Sequence, residues 1–391
     1  LYSAGMRWGR WVAFTAAALL AVWPNHVRES HFALTDVPLT FLTTSTFLLS
    51  LRAYESGRLS WWLGAGAAAG LASASKYSGA YAVMLPVIAA AVFHAPAGDR
   101  LVRMAAAVTA AGLAFLIAAP YTVLDLPRFL NAFAALSEYY RPRPFGQGAI
   151  IYLLHIRAAI GLGGLFAIAV GLVWGTLRAV RGNELRRWAL VVLFPLAYFY
   201  AVATKHLIFA RYLLPAVPLL CLIMAIGLVD ATRWVWQLNR PMRTRAAVLA
   251  VGLALVLFPI VRAGITWPLQ YGHTTTQDIA YARIRESIPY GSGVAVERSV
   301  LRLPDSLYRK TDVPQFTVST PEQHIARGST FLVASSDAFG PVLDRPSERA
   351  AEYAAYRRLF DDPGHCLPAI EPTPAITGPR IIICRLDSPI Q

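Results

Sequence analysis

The residues with the chemistry to hold an anion fall in three short stretches of a mostly apolar chain. The first runs Arg28-Glu29-Ser30-His31-Phe32-Ala33-Leu34-Thr35-Asp36-Val37-Pro38. Here an Asp with a neighbouring His could hold a divalent cation, Mg or Mn, that neutralises a phosphate. The second centres on Lys76, in Ala74-Ser75-Lys76-Tyr77-Ser78-Gly79. The third holds Lys205 and His206, then Arg211-Tyr212-Leu213-Leu214-Pro215. Arg offers a fork of donors and Lys a point charge, so phosphate suits both. Each stretch also has a plainer reading. Asp36 or Thr35 could simply cap the next helix, with Pro38 in its first turn. Long basic side chains also snorkel to headgroups. No P-loop, HExxH, CxxC pair or GxSxG occurs, and the scattered histidines argue against zinc.

The elements around these residues are those of a polytopic α-helical membrane protein. Of the 391 residues, 56% are hydrophobic and 15% charged, too apolar for an ordinary soluble domain. Nine apolar segments predict about nine transmembrane helices: Trp11–Trp23, Val37–Leu51, Trp61–Ala74, Gly79–Phe93, Met104–Ala119, Ala158–Leu177, Trp188–Ala203, Tyr212–Val229 and Ala246–Val261. Several fall short of the ~20 residues a span needs, and flanking residues must extend them. The Trp61–Ala74 and Gly79–Phe93 pair could instead be one bent element.

The net charge of +14 resembles a nucleic-acid signal until it is located. Residues 1–270 carry 23 basic and 8 acidic groups, and the remainder 13 and 14. The excess therefore lies between apolar runs, where positive cytoplasmic loops explain it and nucleic acid is not needed. With the first segment starting in the cytoplasm, cytoplasmic loops hold 14 Arg and Lys, against 7 in the short loops opposite. Arg28, Lys76, Lys205 and Arg211 are among those seven, which asks for a reason beyond orientation. The same assignment puts the C-terminus outside the cytoplasm.

The sequence divides into a transmembrane domain, residues 1–265, and a small α/β extracytoplasmic domain, residues 266–391. In the second, Gln277–Ile288 reads as a helix entered from Thr274-Thr275-Thr276. Val294–Glu297, Thr330–Ser335 and Arg380–Leu386 read as strands. Glu348–Phe360 reads as a helix with Ser347 as its cap. In the first domain, Phe129, Leu130, Phe133, Leu136 and Tyr140 recur at helical spacing against Arg128, Asn131 and Glu138. That pattern fits an amphipathic helix in the membrane interface, or one packed on the C-terminal domain. Cys366 and Cys384 fall in the exported domain, as a bridge or as two separately buried thiols, and Cys221 is buried in a membrane segment.

The Arg28–Pro38 stretch, the Lys76-Tyr77 turn and Arg211-Tyr212-Leu213-Leu214-Pro215 opening a late helix resemble the GT-C membrane glycosyltransferases. The likeness is to their bacterial protein-mannosyltransferase-like and aminoarabinose-transferase-like branch. Asp278 to Gly291 resembles the helix ending in an Ile-Pro turn that opens the periplasmic domain of that branch, and Phe331-Leu332-Val333-Ala334-Ser335-Ser336 its inner strand. The resemblance implies a hexosyl or pentosyl transferase of the bacterial inner membrane. It implies a polyprenyl-phosphate-linked sugar donor, usually undecaprenyl, and transfer with inversion to a protein, lipid or glycan acceptor.

In the same resemblance Asp36 matches an acidic position linked to metal or phosphate, with His31 beside it. Lys76 matches a Thr-Lys turn, with Ser75 in place of Thr. Arg211, with Lys205 nearby, matches the basic residue before a Tyr-Leu-Pro helix. Arg28, Glu29, Tyr77, His206 and Tyr212 are further candidates for the same cavity. The chain begins Leu1-Tyr2-Ser3, at what corresponds to the third helix. The catalytic base, a carboxylate of the first outer loop, is therefore expected upstream of Leu1. Two other classes remain: a polymerase or ligase using diphosphate-linked donors, and a transporter. No internal repeat favours a transporter.

Overall fold

Backbone in hydrocarbon must satisfy its own hydrogen bonds, so apolar segments of this length become helices. The computed structural model describes residues 1–139, 141–270, 274–362 and 364–387. They form two units, Leu1–Pro268 and Leu269–Gln391.

The first unit opens with α1 (Tyr2–Gly5), α2 (Arg10–Ala21), α3 (Pro24–Ser30) and α4 (Asp36–Ser56). Then come α5 (Leu59–Ser75), α6 (Met84–Val92), α7 (Ala97–Ala118), the short α8 (Tyr121–Leu124) and α9 (Leu126–Tyr139). It closes with α10 (Phe145–Arg181), α11 (Leu185–Ala203), α12 (Val217–Gln237) and α13 (Met242–Gln270). Each of the nine apolar segments lies on helix. Among the described residues, five stretches are long and apolar enough to cross a membrane: Ala97–Ala118, Phe145–Arg181, Leu185–Ala203, Ala210–Gln237 and Met242–Thr266. This is a multi-pass membrane fold.

α4 is diluted by hydroxyls, which turn back onto their own helix. Thr40 donates to the Asp36 carbonyl and Thr44 to the Thr40 carbonyl, both at 2.7 Å. α5 meets α7 through small residues. A Cβ on Gly66 or Gly70 would stand 2.1 or 2.2 Å from the carbonyl oxygens of Ala107 and Ala111, so only glycine lets the two backbones approach this closely. The segments Trp61–Ala74 and Gly79–Phe93 prove to be separate elements. The helix ends at Ser75, Lys76 is extended, and a 3-10 turn (Tyr77–Val83) leads into α6. α9 forms where the amphipathic pattern falls, leaving Leu130 and Phe133 half exposed. Tyr140 of that pattern lies outside the described residues.

The second unit is a small α/β domain. α14 (Thr276–Ser287) starts on a capping box, in which Thr275 and Asp278 satisfy each other's backbone N–H. The strands β1 (Gly293–Glu297), β2 (Arg309–Val313), β3 (Phe331–Ser335) and β4 (Ile381–Arg385) form a sheet of order β2-β1-β3-β4. β1 is parallel to β2 and β3, and β4 is antiparallel to β3. The helices α15 (Pro321–Ala326), α16 (Ser336–Leu343) and α17 (Ala350–Phe360) complete it.

Alternate strand residues serve opposite faces. Val294, Val296, Phe331 and Val333 pack with Ala280 and Ile284 of α14. Ala295, Leu332 and Ala334 pack with Phe339 and Tyr356 of α16 and α17. Two sequence expectations need correcting. β2 was not foreseen, because Arg309-Lys310-Thr311-Asp312-Val313 is polar and largely exposed, as an edge strand tends to be. Ser347 is not a cap, since α17 begins at Ala350 with Arg349 at the cap position.

Glu297, at the end of β1, is fully buried. It accepts from the Phe316 and Ser335 backbone N–H groups at 2.7 and 2.9 Å and from the Tyr356 hydroxyl. Burial pushes its carboxyl above the ordinary range and these hydrogen bonds oppose the rise.

Cys366 and Cys384 are bridged across 18 residues, tying the loop before β4 to β4 itself. Closing such a loop stabilises the unit by about 3 kcal/mol in the chain-entropy model. In unfolded, unreduced protein, iodoacetamide should label Cys221 alone. Reduction should expose two further sites and lower the unfolding midpoint of this unit.

Candidate functional site

Asp36 is the first residue of α4 and is 3% exposed. Neither it nor Thr35 caps the helix by a side-chain hydrogen bond. Its carboxylate instead meets two cations from elsewhere. Lys76 Nζ lies 2.7 Å from Oδ1 and Arg211 Nε 3.8 Å from Oδ2. Local backbone explains both reaches. Lys76 leaves α5 with φ −160° and ψ 137°, which turns its side chain away from the helix it follows. The chain then folds back so tightly that a Cβ on Gly79 would sit 2.1 Å from the Ala72 carbonyl oxygen. Phe209 is likewise extended, and Arg211 lies in the 3-10 turn Ala210–Ala216 that precedes α12.

Aromatic faces steady the two cations. Lys76 lies 4.5 Å from the ring centre of Tyr212, and Arg211 4.5 Å from that of Phe209. Beside them opens a cavity of about 660 Å3 lined by Lys76, Tyr77, Tyr81, Tyr198, Lys205 and Tyr212, with Phe133, Leu136 and Ser137 of α9 along one side. Tyr77 also touches Phe129 and Phe133 edge-on, at 5.9 Å between centroids in each case. Lys205 is positioned by short antiparallel pairing between residues 141–143 and 204–206. There His206 N–H donates to the Arg141 carbonyl and Arg143 N–H to the Thr204 carbonyl.

The structure thus joins Asp36, Lys76 and Arg211 directly and sets Lys76, Tyr77, Lys205 and Tyr212 around one cavity. Arg28, Glu29, His31 and His206 do not line it, and Asp36 and Arg211 adjoin it through Lys76 and Tyr212 without lining it. Glu29 is 1% exposed and held by Arg28, whose Nη2 is 2.6 Å from Oε1. His31 Nδ1 is 2.8 Å from the Val27 carbonyl oxygen of its own helix. Among the described residues, no group of three or more His, Cys, Asp and Glu could hold a metal ion. Both oxygens of Asp36 face cations, so it is a poor donor set for a divalent cation. Tyr81 and Tyr198, in edge contact at 5.7 Å, were missed because each sits in an apolar run that reads as packing. Phe133 and Leu136 were marked by their helical spacing, as a face for the membrane interface or for packing on the C-terminal domain.

Comparison with known proteins agrees with this fold. The family model for dolichyl-phosphate-mannose-protein mannosyltransferases matches residues 1–123. No curated protein matches. Two crystal structures of ArnT from Cupriavidus metallidurans align with 98% of this chain and 80% of theirs, at 14% identity. The TM-score is 0.55 for the form bound to undecaprenyl phosphate and 0.58 for the apo form. The expected resemblance is thus met at the level these matches reach: the chain shares the fold of ArnT, and its first third matches the mannosyltransferase family's pattern.

A buried carboxylate stripped of its counter-ion is costly, at ~3–5 kcal/mol. Lys76→Met leaves Arg211 as the remaining counter-ion, so it should destabilise the first unit by less than that, ~1–3 kcal/mol, and adding Asp36→Asn should recover part of it. The coupling from this double-mutant cycle, read by unfolding in mixed micelles, should exceed ~1 kcal/mol. A lysine that merely snorkels would give a coupling near zero.

Proposed function

We propose that the chain is a glycosyltransferase whose described residues bind the sugar donor. It would take a hexose or pentose from a polyprenyl-phosphate carrier, undecaprenyl in bacteria, and pass it to an acceptor with inversion. One observation carries the reading: Lys76 and Lys205 converge on a single cavity beside the Asp36–Arg211 pair. It is supported by the fold shared with ArnT of Cupriavidus metallidurans, whose crystal structure holds undecaprenyl phosphate.

In this reading the bundle crosses the bacterial inner membrane about nine times. The site opens on the outer face and the C-terminal α/β domain is extracytoplasmic. The acceptor oxygen attacks the anomeric carbon opposite the phosphate. The new carbon–oxygen bond forms as the bond to the phosphate oxygen breaks, and the electron pair leaves with the phosphate. A monoanionic diester becomes a dianionic monoester, and Lys76, Lys205 and the free donors of Arg211 stabilise that added charge where water is scarce. Asp36 fixes two of these cations before the donor arrives. The acceptor's proton passes to a base other than Asp36 or Glu29, which Lys76, Arg211 and Arg28 already engage. Phosphate neutralisation runs through the basic side chains, with no step through a divalent cation. α9 covers the cavity with Phe133 and Leu136 and would hold the acceptor against it.

Arg211→Ala should cost ~2–4 kcal/mol of transition-state stabilisation, measured as turnover with defined donor lipid and corrected for folded fraction. Arg211→Lys should restore part of it, since a point charge replaces a fork. Turnover within about twofold of wild type for Arg211→Ala would mean that the guanidinium only snorkels.

A further inference from the structure

α10 carries a second feature at the end away from the Pro142–Lys205 pairing. Gly161, with φ +67°, kinks α10 against Pro259 of α13. Close by, a Cβ on Gly163 would come within 2.5 Å of the Leu255 carbonyl oxygen. The helices do not fill the space beside that contact. Between α10, α12 and α13 they leave an apolar groove of about 840 Å3, with Phe166, Val170, Leu228 and Val256 on its walls. Gly252 also lines it, and a Cβ there would meet nothing within 4 Å.

The groove runs into a basic pocket. Trp174 and Trp234, with ring centroids 6.5 Å apart, line both the groove and a cavity of about 520 Å3 that holds Arg178, Arg181, Asp230 and Arg233. Asp230 lies 3.1 Å from Arg233 and 3.6 Å from Arg178. Arg181 has no ion-pair partner among the described residues, so three cations face one carboxylate. Depth narrows the ligand further. Leu162 to Trp174 is 12 residues, about 18 Å of helix at ~1.5 Å per residue, just over half of a hydrocarbon core ~30 Å thick. The groove therefore has the depth of one leaflet, with tryptophans at headgroup level and a surplus of positive charge where a phosphate would lie.

We propose that this groove binds one anionic phospholipid, with an acyl chain along α10 and α13 and its phosphate on Arg181 and Arg233. A membrane-spanning helix of a second copy would need a groove through both leaflets, and this one has the depth of one. The inference is independent of the donor reading, because Asp36, Lys76 and Lys205 take no part in it.

The test is native mass spectrometry of the purified protein, equilibrated with an equimolar mixture of phosphatidylglycerol and phosphatidylcholine. The wild type should retain one phosphatidylglycerol in preference to phosphatidylcholine. Arg181→Gln with Arg233→Gln should reduce that preference roughly tenfold or more, as expected for lost charge-assisted contacts. Gly252→Phe, which fills open space, should reduce retention of both lipids. Equal retention of the two lipids by the wild type would overturn the proposal, and that comparison needs no variant to fold. So would unchanged preference in the folded double variant, displacement of the lipid by undecaprenyl phosphate, or a dimer that Gly252→Phe dissociates.

Discussion

A carboxylate buried in a helical bundle cannot stay ionised alone, and Asp36 is buried almost completely. Its need for counter-ions binds three distant parts of the chain: the start of α4, the turn after α5 and the turn before α12. Lys76 and Arg211 satisfy it from opposite oxygens. The arrangement leaves one positive charge more than negative, and Lys76 of the pair lines the adjoining cavity. Without Asp36 the two cations would repel one another and turn to the headgroups. Without the cations, Asp36 would cost more than the first turn of α4 could return through its dipole.

The same backbone device presents both cations. In each case an extended residue, Lys76 or Phe209, is followed by a 3-10 turn and then an α-helix. In each the turn carries a tyrosine, Tyr77 or Tyr212, that lines the cavity. Non-helical backbone at membrane depth survives where protein buries it or where it borders a cavity. These two breaks do so beside a cavity lined by Lys76 and Lys205. The positions where the helices fail are thus the positions that supply Lys76, Tyr77 and Tyr212 to the cavity.

This explains what the sequence allowed to be read. Helices in the apolar runs follow from their composition, and α14 from its Thr-Asp cap. Asp36, Lys76 and Arg211 could be grouped because positive charge in loops that the Arg and Lys bias assigns to the outside needs a reason. Contacts between residues far apart in the chain were another matter. Tyr81 and Tyr198 have no polar neighbours in sequence to mark them. Glu297 closes the expected strand Val294–Glu297 with no mark of burial in the sequence, whereas three donors hold it at 0% exposure. β2 escaped because edge strands favour the charged residues that disguise them. The Cys366–Cys384 bridge depended on the antiparallel approach of the preceding loop to β4, and a spacing of 18 residues does not encode that approach.

Arginines near helix ends show how far position alone decides meaning. Arg178, Arg181 and Arg233 count, by sequence, as ordinary members of a positive cytoplasmic set, and orientation accounts for them fully. Geometry adds a constraint that orientation does not supply. Orientation requires only that cations lie on one side, and scattered arginines would serve. Here three converge on one pocket with a single carboxylate among them, and an apolar groove one leaflet deep opens beneath. Packing α13 flush against α10 and α12 would bury more apolar surface, and Gly252 shows where a side chain could have filled the gap. Left unfilled, that surface must be covered by something apolar that ends in an anion, and the surrounding bilayer supplies such molecules.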